Sequence, residues 1–448
     1  MNYSDIPNVN ALLTLSALDN ISSQWATEMV RYCTQRVRNQ IAEGSIEHVW
    51  TLEDWNQALK YTMAEHQKLR YRPVINATGI VVHTNLGRAP LAQEVVSYMA
   101  TVSQYTDLEL RLTDGKRGGR LEGIRQKLCK ITGAEDALVV NNNAAAVLLI
   151  LSAIAAHKEV VVSRGELVEI GGSFRVPDVI QQGGAILREV GCTNRLHLRD
   201  IETVLSTETG AILRVHTSNY RIVGFTSRPD RKEVCELAAQ YHVPVVEDLG
   251  SGLLSQAPDV PWKEMLEKDE SIANAIAEGV DVVCASGDKL LGGVQAGLIV
   301  GRKMWIEKCR RHPLYRALRL DKMILAGLEA TLQVHLEGRS HQLPAWEYLE
   351  RSADQCKQLA FEVAEGIDGV EVVPSVSFVG GGALPDQALD TWAIRISNVD
   401  VEKIAHLLRV GQPAIMSRVQ KNAVWLDVRT VSRSEISDLR TRLREVLA

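Results

Sequence analysis

The run Ser286-Gly287-Asp288-Lys289-Leu290-Leu291-Gly292-Gly293 directly follows the apolar stretch Val282-Val283-Cys284-Ala285. A lysine between a strand-like run and a glycine pair is well placed to hold an aldehyde as a Schiff base. Burial lowers the amine's pKa and makes it nucleophilic, and glycines let backbone and cofactor approach closely. A lysine after a strand is also an ordinary solvated loop residue, so the pattern needs a partner. Val245-Val246-Glu247-Asp248-Leu249-Gly250-Ser251-Gly252 supplies one: a second apolar run ending in a carboxylate and then glycines. Pyridoxal phosphate (PLP) needs both parts, a lysine for its aldehyde and a carboxylate to keep its ring nitrogen protonated.

Other polar residues fall at the ends of similar runs, where open parallel sheets collect their ligands. Asn141-Asn142-Asn143 follows Ala137–Val140 and precedes the helical stretch Ala144–Ala156. Asn142, Asn143 and the first N–H groups at Ala144 would face a phosphate, or simply cap the helix. His216 follows the 211–215 run. It would stack on a cofactor ring or bond its phenolic oxygen, although a satisfied core histidine is the commoner role. Asp248 would pair with the pyridinium, Ser286 borders the same site, and Asp288 would tune the amine or serve as an acid or base. Helix capping and solvation are the plain alternatives for these two aspartates. Arg88, in Asn85-Leu86-Gly87-Arg88, and the pair Arg316 and Arg319 suggest an anionic substrate. Spacing i, i+3 would put the last two on one face of a helix; a surface basic stripe is the plain alternative.

These residues need elements to position them. Short apolar, β-branched runs recur at 137–140, 159–163, 185–190, 211–216, 244–247, 281–284 and 297–300. Helical patterns such as 231–241 and 272–278 lie between them. Buried strands interleaved with helices predict an α/β fold with a mostly parallel central sheet covered on both faces. Residues 1–70 read as a helical N-terminal domain, with helices over 21–46 and 52–69, and Tyr71-Arg72-Pro73 ends that texture. The large domain then spans 71–330 and a small C-terminal α/β domain spans 331–448. The expected elements there are a helix over 321–337, another over 345–365, strands near 370–373, 391–396 and 423–428, and a closing helix. Gly380-Gly381-Gly382 reads as a flexible loop.

With 448 residues the chain has ample material for a buried core. A net charge of −5 gives no global basic surface for nucleic acid. Seven cysteines without a CxxC pair argue for a reducing compartment and against a disulfide framework or structural zinc. No basic-then-apolar leader opens the chain, and the longest apolar stretch, 144–156, is too short to span a bilayer. The expectation is a cytoplasmic protein that does not enter a membrane.

Together these segments resemble the bacterial selenocysteine synthase (L-seryl-tRNA(Sec) selenium transferase) family over nearly the whole chain. The matching stretches are 72–79, His83-Thr84-Asn85-Leu86-Gly87-Arg88, Asn141–Ala146, Ser163–Gly172, Val215–Tyr220 and Ser286–Gly293. The resemblance implies a fold-type I PLP-dependent transferase with Lys289 as the Schiff-base lysine. It also implies a homo-oligomeric ring of dimers, a decamer, with active sites at subunit interfaces. Seryl-tRNA(Sec) would be converted to selenocysteinyl-tRNA(Sec) with selenophosphate through an aminoacrylyl intermediate. The arginines matching Arg88, Arg316 and Arg319 would hold the donor anion, and residues 1–70 would help to grip the tRNA. Two positions depart from the family pattern: Cys192 replaces one of two threonines, and Val294 stands where proline is usual. Residues 1–70 carry six Lys/Arg against eight Asp/Glu, so any tRNA grip would rest on a local patch such as Arg31-Arg36-Arg38. The alternative activity is a PLP lyase acting on a small phosphorylated amino acid, with the same cofactor residues.

Overall fold

In the computed structural model, alternating apolar residues build the large sheet, and their period of two sends neighbours to opposite faces. Val161, Ile212, Val245 and Val283 pack on one side. Val160, Leu213, Val246 and Cys284 pack on the other, beneath the Asn143–Ile154 helix. The described residues are 1–46, 48–171, 174–217, 219–255, 271–382, 388–397 and 399–448. Gly172 and Ser218, each part of a stretch that carries the family resemblance, lie outside them.

The seven strands run in the order 136–140, 297–301, 282–286, 245–250, 209–215, 159–163 and 186–190. Only the Gly297–Gly301 strand is antiparallel to its neighbours. All seven match runs expected from the sequence. Parallel pairing with both faces covered explains why the central runs are mostly apolar and buried, whereas the edge strand Ile186–Val190 carries Arg188 and Glu189 and is largely exposed.

Met1–Pro73 and Val74–Ala448 are two compact units. In the first, helices Ser23–Ala42 and Leu52–Gln67 bury Met29, Val30, Cys33, Trp55 and Leu59. The second helix starts on a capping box, in which Thr51 Oγ1 accepts from the Asp54 N–H and Asp54 accepts from the Thr51 N–H. Among the described residues no helix is long and apolar enough to cross a membrane.

A second, four-stranded antiparallel sheet orders its strands 370–378, 388–396, 423–427 and 418–420. The expected 345–365 helix is broken into Pro344–Glu350 and Ala353–Ala364. Ser352 caps the second piece, and the Arg351 guanidinium turns away to donate to the carbonyls of Val428, Arg429 and Val431. Gly380–Gly382 lies outside helix and strand, as expected of a loop, and is closely packed at two of its glycines. Cβ atoms there would lie 2.3 Å from Ile80 Cγ2 (Gly380) and 2.8 Å from Val82 Cγ1 (Gly381), so the glycines permit a close backbone approach. The Val74–Asn76 strand pairs in parallel with Ala414–Met416, tying the start of this unit to its far end.

Candidate active site

Asp248 sits near the end of the Val245–Gly250 strand, on the face covered by the Asn143–Ile154 helix. Asn143 Nδ2 donates to Asp248 Oδ1 at 2.7 Å. Burial pushes the Asp248 carboxyl above the usual carboxylate range, and the Asn143 bond, the Lys289 charge and the Gly250 N–H pull the other way. Glu247, one residue earlier, points to the opposite face. There it accepts from Arg231 Nε at 2.6 Å and Arg214 Nε at 3.4 Å.

Lys289 follows the Val282–Ser286 strand and is buried. Gly250 connects it to Asp248. A Cβ built on Gly250 would lie 3.8 Å from Lys289 Nζ and 4.0 Å from Asp248 Oδ1. Gly250 holds φ at +63°, a left-handed value that favours glycine. The missing side chain therefore leaves a small space between an amine and a carboxylate. Asn143 Oδ1 and Asp288 Oδ1 are buried nearby in the chain's fold without a hydrogen-bond partner among the described residues. A lysine, a carboxylate and a glycine-made space fit PLP. His216 lies just past the Thr209–Val215 strand, and its N–H donates to the Asp248 carbonyl at 2.9 Å.

Asn142 caps the Asn143–Ile154 helix, accepting from the Ala145 N–H at 2.9 Å. The N–H groups of Asn143 and Ala144 stand at the helix start, where no earlier intrahelical carbonyl serves them, a geometry that suits a phosphate. Ser286 ends its strand buried, and a Cβ on Gly252 would lie 2.1 Å from the Ser286 carbonyl oxygen. The Asp248 and Lys289 loops thus touch backbone to backbone.

Arg88 and Arg319 border different cavities. Arg88 Nη1 donates to Asp288 Oδ2 at 2.6 Å. The pair borders a cavity of about 460 Å³ that also includes Thr84 and Gln295. Arg88 holds φ at +65°, unusual for a residue with a side chain. Arg319 borders a different cavity of about 500 Å³, with Arg120, Arg125, Arg310 and Tyr315. Its guanidinium lies 5.5 Å over the Tyr315 ring. The expected shared helix face for Arg316 and Arg319 does not form. The Pro313–Ala317 helix stops at Leu318, whose carbonyl accepts from the Asn141 N–H at 3.2 Å, so Arg319 leaves the helix. That contact places the Arg319 backbone beside the asparagines.

Sequence reasoning did not assign Asn143 to Asp248, Asp288 to Arg88, or any role to Gly250. The two contacts join residues 105 and 200 positions apart, the third feature is the space beside a glycine, and none leaves a local pattern.

The sequence profile of the family described as SelA, L-seryl-tRNA selenium transferase, matches residues 74–432. An L-seryl-tRNA(Sec) selenium transferase of Nitratidesulfovibrio vulgaris is 41% identical over 469 aligned positions, covering 99% of each chain. One from Carboxydothermus hydrogenoformans is 40% identical, covering 96% of this chain and 95% of that one. Among solved structures, a D-glucosaminate-6-phosphate ammonia-lyase superposes with a TM-score of 0.62 at 24% identity, covering 86% of this chain and 98% of the other. That likeness speaks to fold alone, the α/β fold of the fold-type I PLP-dependent enzymes. With its profile match across 74–432 and relatives similar from end to end, this chain belongs to the L-seryl-tRNA selenium transferase family.

Proposed function

We propose that the protein converts seryl-tRNA(Sec) to selenocysteinyl-tRNA(Sec), with PLP as cofactor and selenophosphate as selenium donor. One observation carries the cofactor reading: Lys289 Nζ and Asp248 Oδ1 both border the space that a side chain on Gly250 would fill. The substrate reading rests on relatives of that name that match across nearly the whole chain.

PLP held there supplies an electron sink for the pair left when the serine α-proton departs. Lys289 would hold the cofactor's aldehyde carbon, and its freed amine would then take that α-proton. Asp248, aimed by Asn143, would keep the ring nitrogen cationic. Asn142, through its cap, would fix the helix start whose N–H groups at Asn143 and Ala144 receive the phosphate; His216 would lie against the ring and Ser286 beside it. The serine β-hydroxyl would leave as water, taking a proton equivalent to the one Lys289 removed, before the donor's selenium adds to the same carbon and water cleaves the Se–P bond to release phosphate. Asp288 steadies Arg88 at the mouth of its cavity, and a selenophosphate anion would compete with that carboxylate for the guanidinium. In this reading Arg316 and Arg319 would complete the anion site from a neighbouring subunit; within one chain Arg319 borders a different cavity from Arg88. This reading calls for a homo-oligomer, a ring of dimers up to the decamer, acting in the cytoplasm. Residues 1–70 would grip the tRNA, 71–330 would hold the cofactor and 331–448 would cover it. A lyase of a small phosphorylated amino acid would have no use for the helical N-terminal unit.

The test is to load the protein with PLP, supply seryl-tRNA(Sec) and selenophosphate, and identify the amino acid released from the tRNA. Selenocysteine is expected. Unchanged serine from a yellow, PLP-loaded protein would refute the substrate and leave the cofactor site standing.

A further inference from the structure

The turn that carries Lys289 has an uncommon form of support. Within it, the Lys289 carbonyl accepts from the Gly292 N–H at 2.9 Å, and the Asp288 carbonyl accepts from the Ala89 N–H at 3.2 Å. The next two carbonyls are taken by side chains. Trp346 Nε1–H donates to the Leu290 carbonyl at 2.7 Å, and this contact is buried. His335 Nε2 contacts the Leu291 carbonyl at 2.8 Å. A carbonyl only accepts, so Nε2 must carry the proton, and burial holds the ring toward its neutral form.

These donors come from separate helices, Lys322–Leu336 and Pro344–Glu350. The glycine pair seats the turn against both. A Cβ on Gly292 would lie 3.3 Å from Leu343 and 3.7 Å from Trp346, and one on Gly293 would lie 3.1 Å from Thr331. Neither helix belongs to the strand series that supplies Asp248 and His216. A buried carbonyl deprived of its donor must find another or move. Here the carbonyls in question are one and two residues past the lysine.

We infer that Trp346 and His335 are positioning residues that brace the turn carrying Lys289 and so fix where its amine stands. Neither ring touches the reacting atoms; each acts through the Leu290 or Leu291 carbonyl. The inference rests on Lys289 being the lysine that holds PLP.

The test compares Trp346→Phe, His335→Leu and His335→Gln with the parent, all PLP-loaded full chains. Trp346→Phe keeps an aromatic ring but loses the N–H; His335→Gln keeps an N–H donor on a chain of similar reach. Two readouts are used: the visible-band circular dichroism of the bound cofactor, which reports its pose, and separate kcat and KM values for the tRNA. Trp346→Phe and His335→Leu are expected to change the visible dichroism and lower kcat about tenfold, with KM little changed. His335→Gln is expected to recover most of both. Parent-like dichroism and kcat in Trp346→Phe and His335→Leu would overturn the brace, as would a His335→Gln variant no better than His335→Leu. If Trp346→Phe does not fold, the His335 pair decides by the same criteria. A parent protein with no cofactor band after PLP is added would instead refute the Lys289 reading itself.

Discussion

Asp248 and Asp427 are both buried near strand ends, and burial raises the pKa of each, yet their surroundings differ in kind. Asp427, in the four-stranded sheet, is saturated. It accepts from Ser377 Oγ at 2.8 Å, Thr391 Oγ1 at 3.0 Å, Arg418 Nη2 at 3.0 Å and the Arg429 N–H at 3.1 Å. Among the described residues Asp248 accepts one side-chain hydrogen bond, from Asn143, and one from the Gly250 N–H, with a lysine charge nearby. The glycines repeat the contrast. A Cβ on Gly79 would lie 2.2 Å from Asp427 Oδ2, whereas a Cβ on Gly250 would meet nothing closer than Lys289 Nζ at 3.8 Å. One carboxylate is enclosed by its own fold and the other is left with room beside it. Under-satisfied buried charge with space around it marks a site for a ligand, and saturated charge marks architecture.

The contrast can be broken at several points. Removing the amine beside Asp248 gives the largest effect. Lys289→Ala should lower selenocysteine formation by on the order of 10⁴-fold or more, with the far-UV circular dichroism unchanged. Asp248→Asn should cost about 10²–10³-fold in kcat while leaving the unliganded protein at least as stable as the parent, because a buried charge is relieved. Asp427→Asn should do the reverse. Urea unfolding should show a loss of about 3–5 kcal/mol, with PLP binding retained wherever the protein is folded.

The matched glycines sharpen the same point on a smaller scale. Gly79 and Gly250 hold φ at +73° and +63°, so alanine strains both backbones by about 1–2 kcal/mol. Gly79→Ala adds overlap with a carboxylate and should cost about 1–3 kcal/mol more. Gly250→Ala should show the milder unfolding shift but the weaker PLP binding, measured by absorbance titration.

The smallest effect is on pH dependence. A carboxyl whose pKa is raised on folding binds its proton more tightly in the folded state. Its contribution favours folding at low pH and is lost as pH rises through the raised folded value. The stability advantage of cofactor-free Asp248→Asn over the parent should therefore grow from acid to neutral pH in thermal scans. A constant difference would mean that Asp248 is not held above its usual range.

Much of this was legible in the sequence. Uninterrupted β-branched runs identify buried parallel strands, and Asp248, His216 and Lys289 stand at or just beyond the ends of three of them. What stayed hidden was non-local. The pairing of Val74–Asn76 with Ala414–Met416 joins segments far apart in the chain. The break at Arg351 depends on carbonyls contributed by residues 428–431. Arg319 left its expected helix because Leu318 meets Asn141, a contact no spacing rule predicts. No sequence pattern singles out Trp346, and its bond to the Leu290 carbonyl appears only in three dimensions.

The most direct test of the account measures the product on the tRNA. PLP-loaded parent and Lys289→Ala proteins are each given seryl-tRNA(Sec) and selenophosphate, and the esterified amino acid is identified by mass spectrometry. Selenocysteine is expected from the parent and unchanged serine from the variant. Selenocysteine from both proteins would contradict the role of Lys289, and serine from both would contradict the proposed reaction.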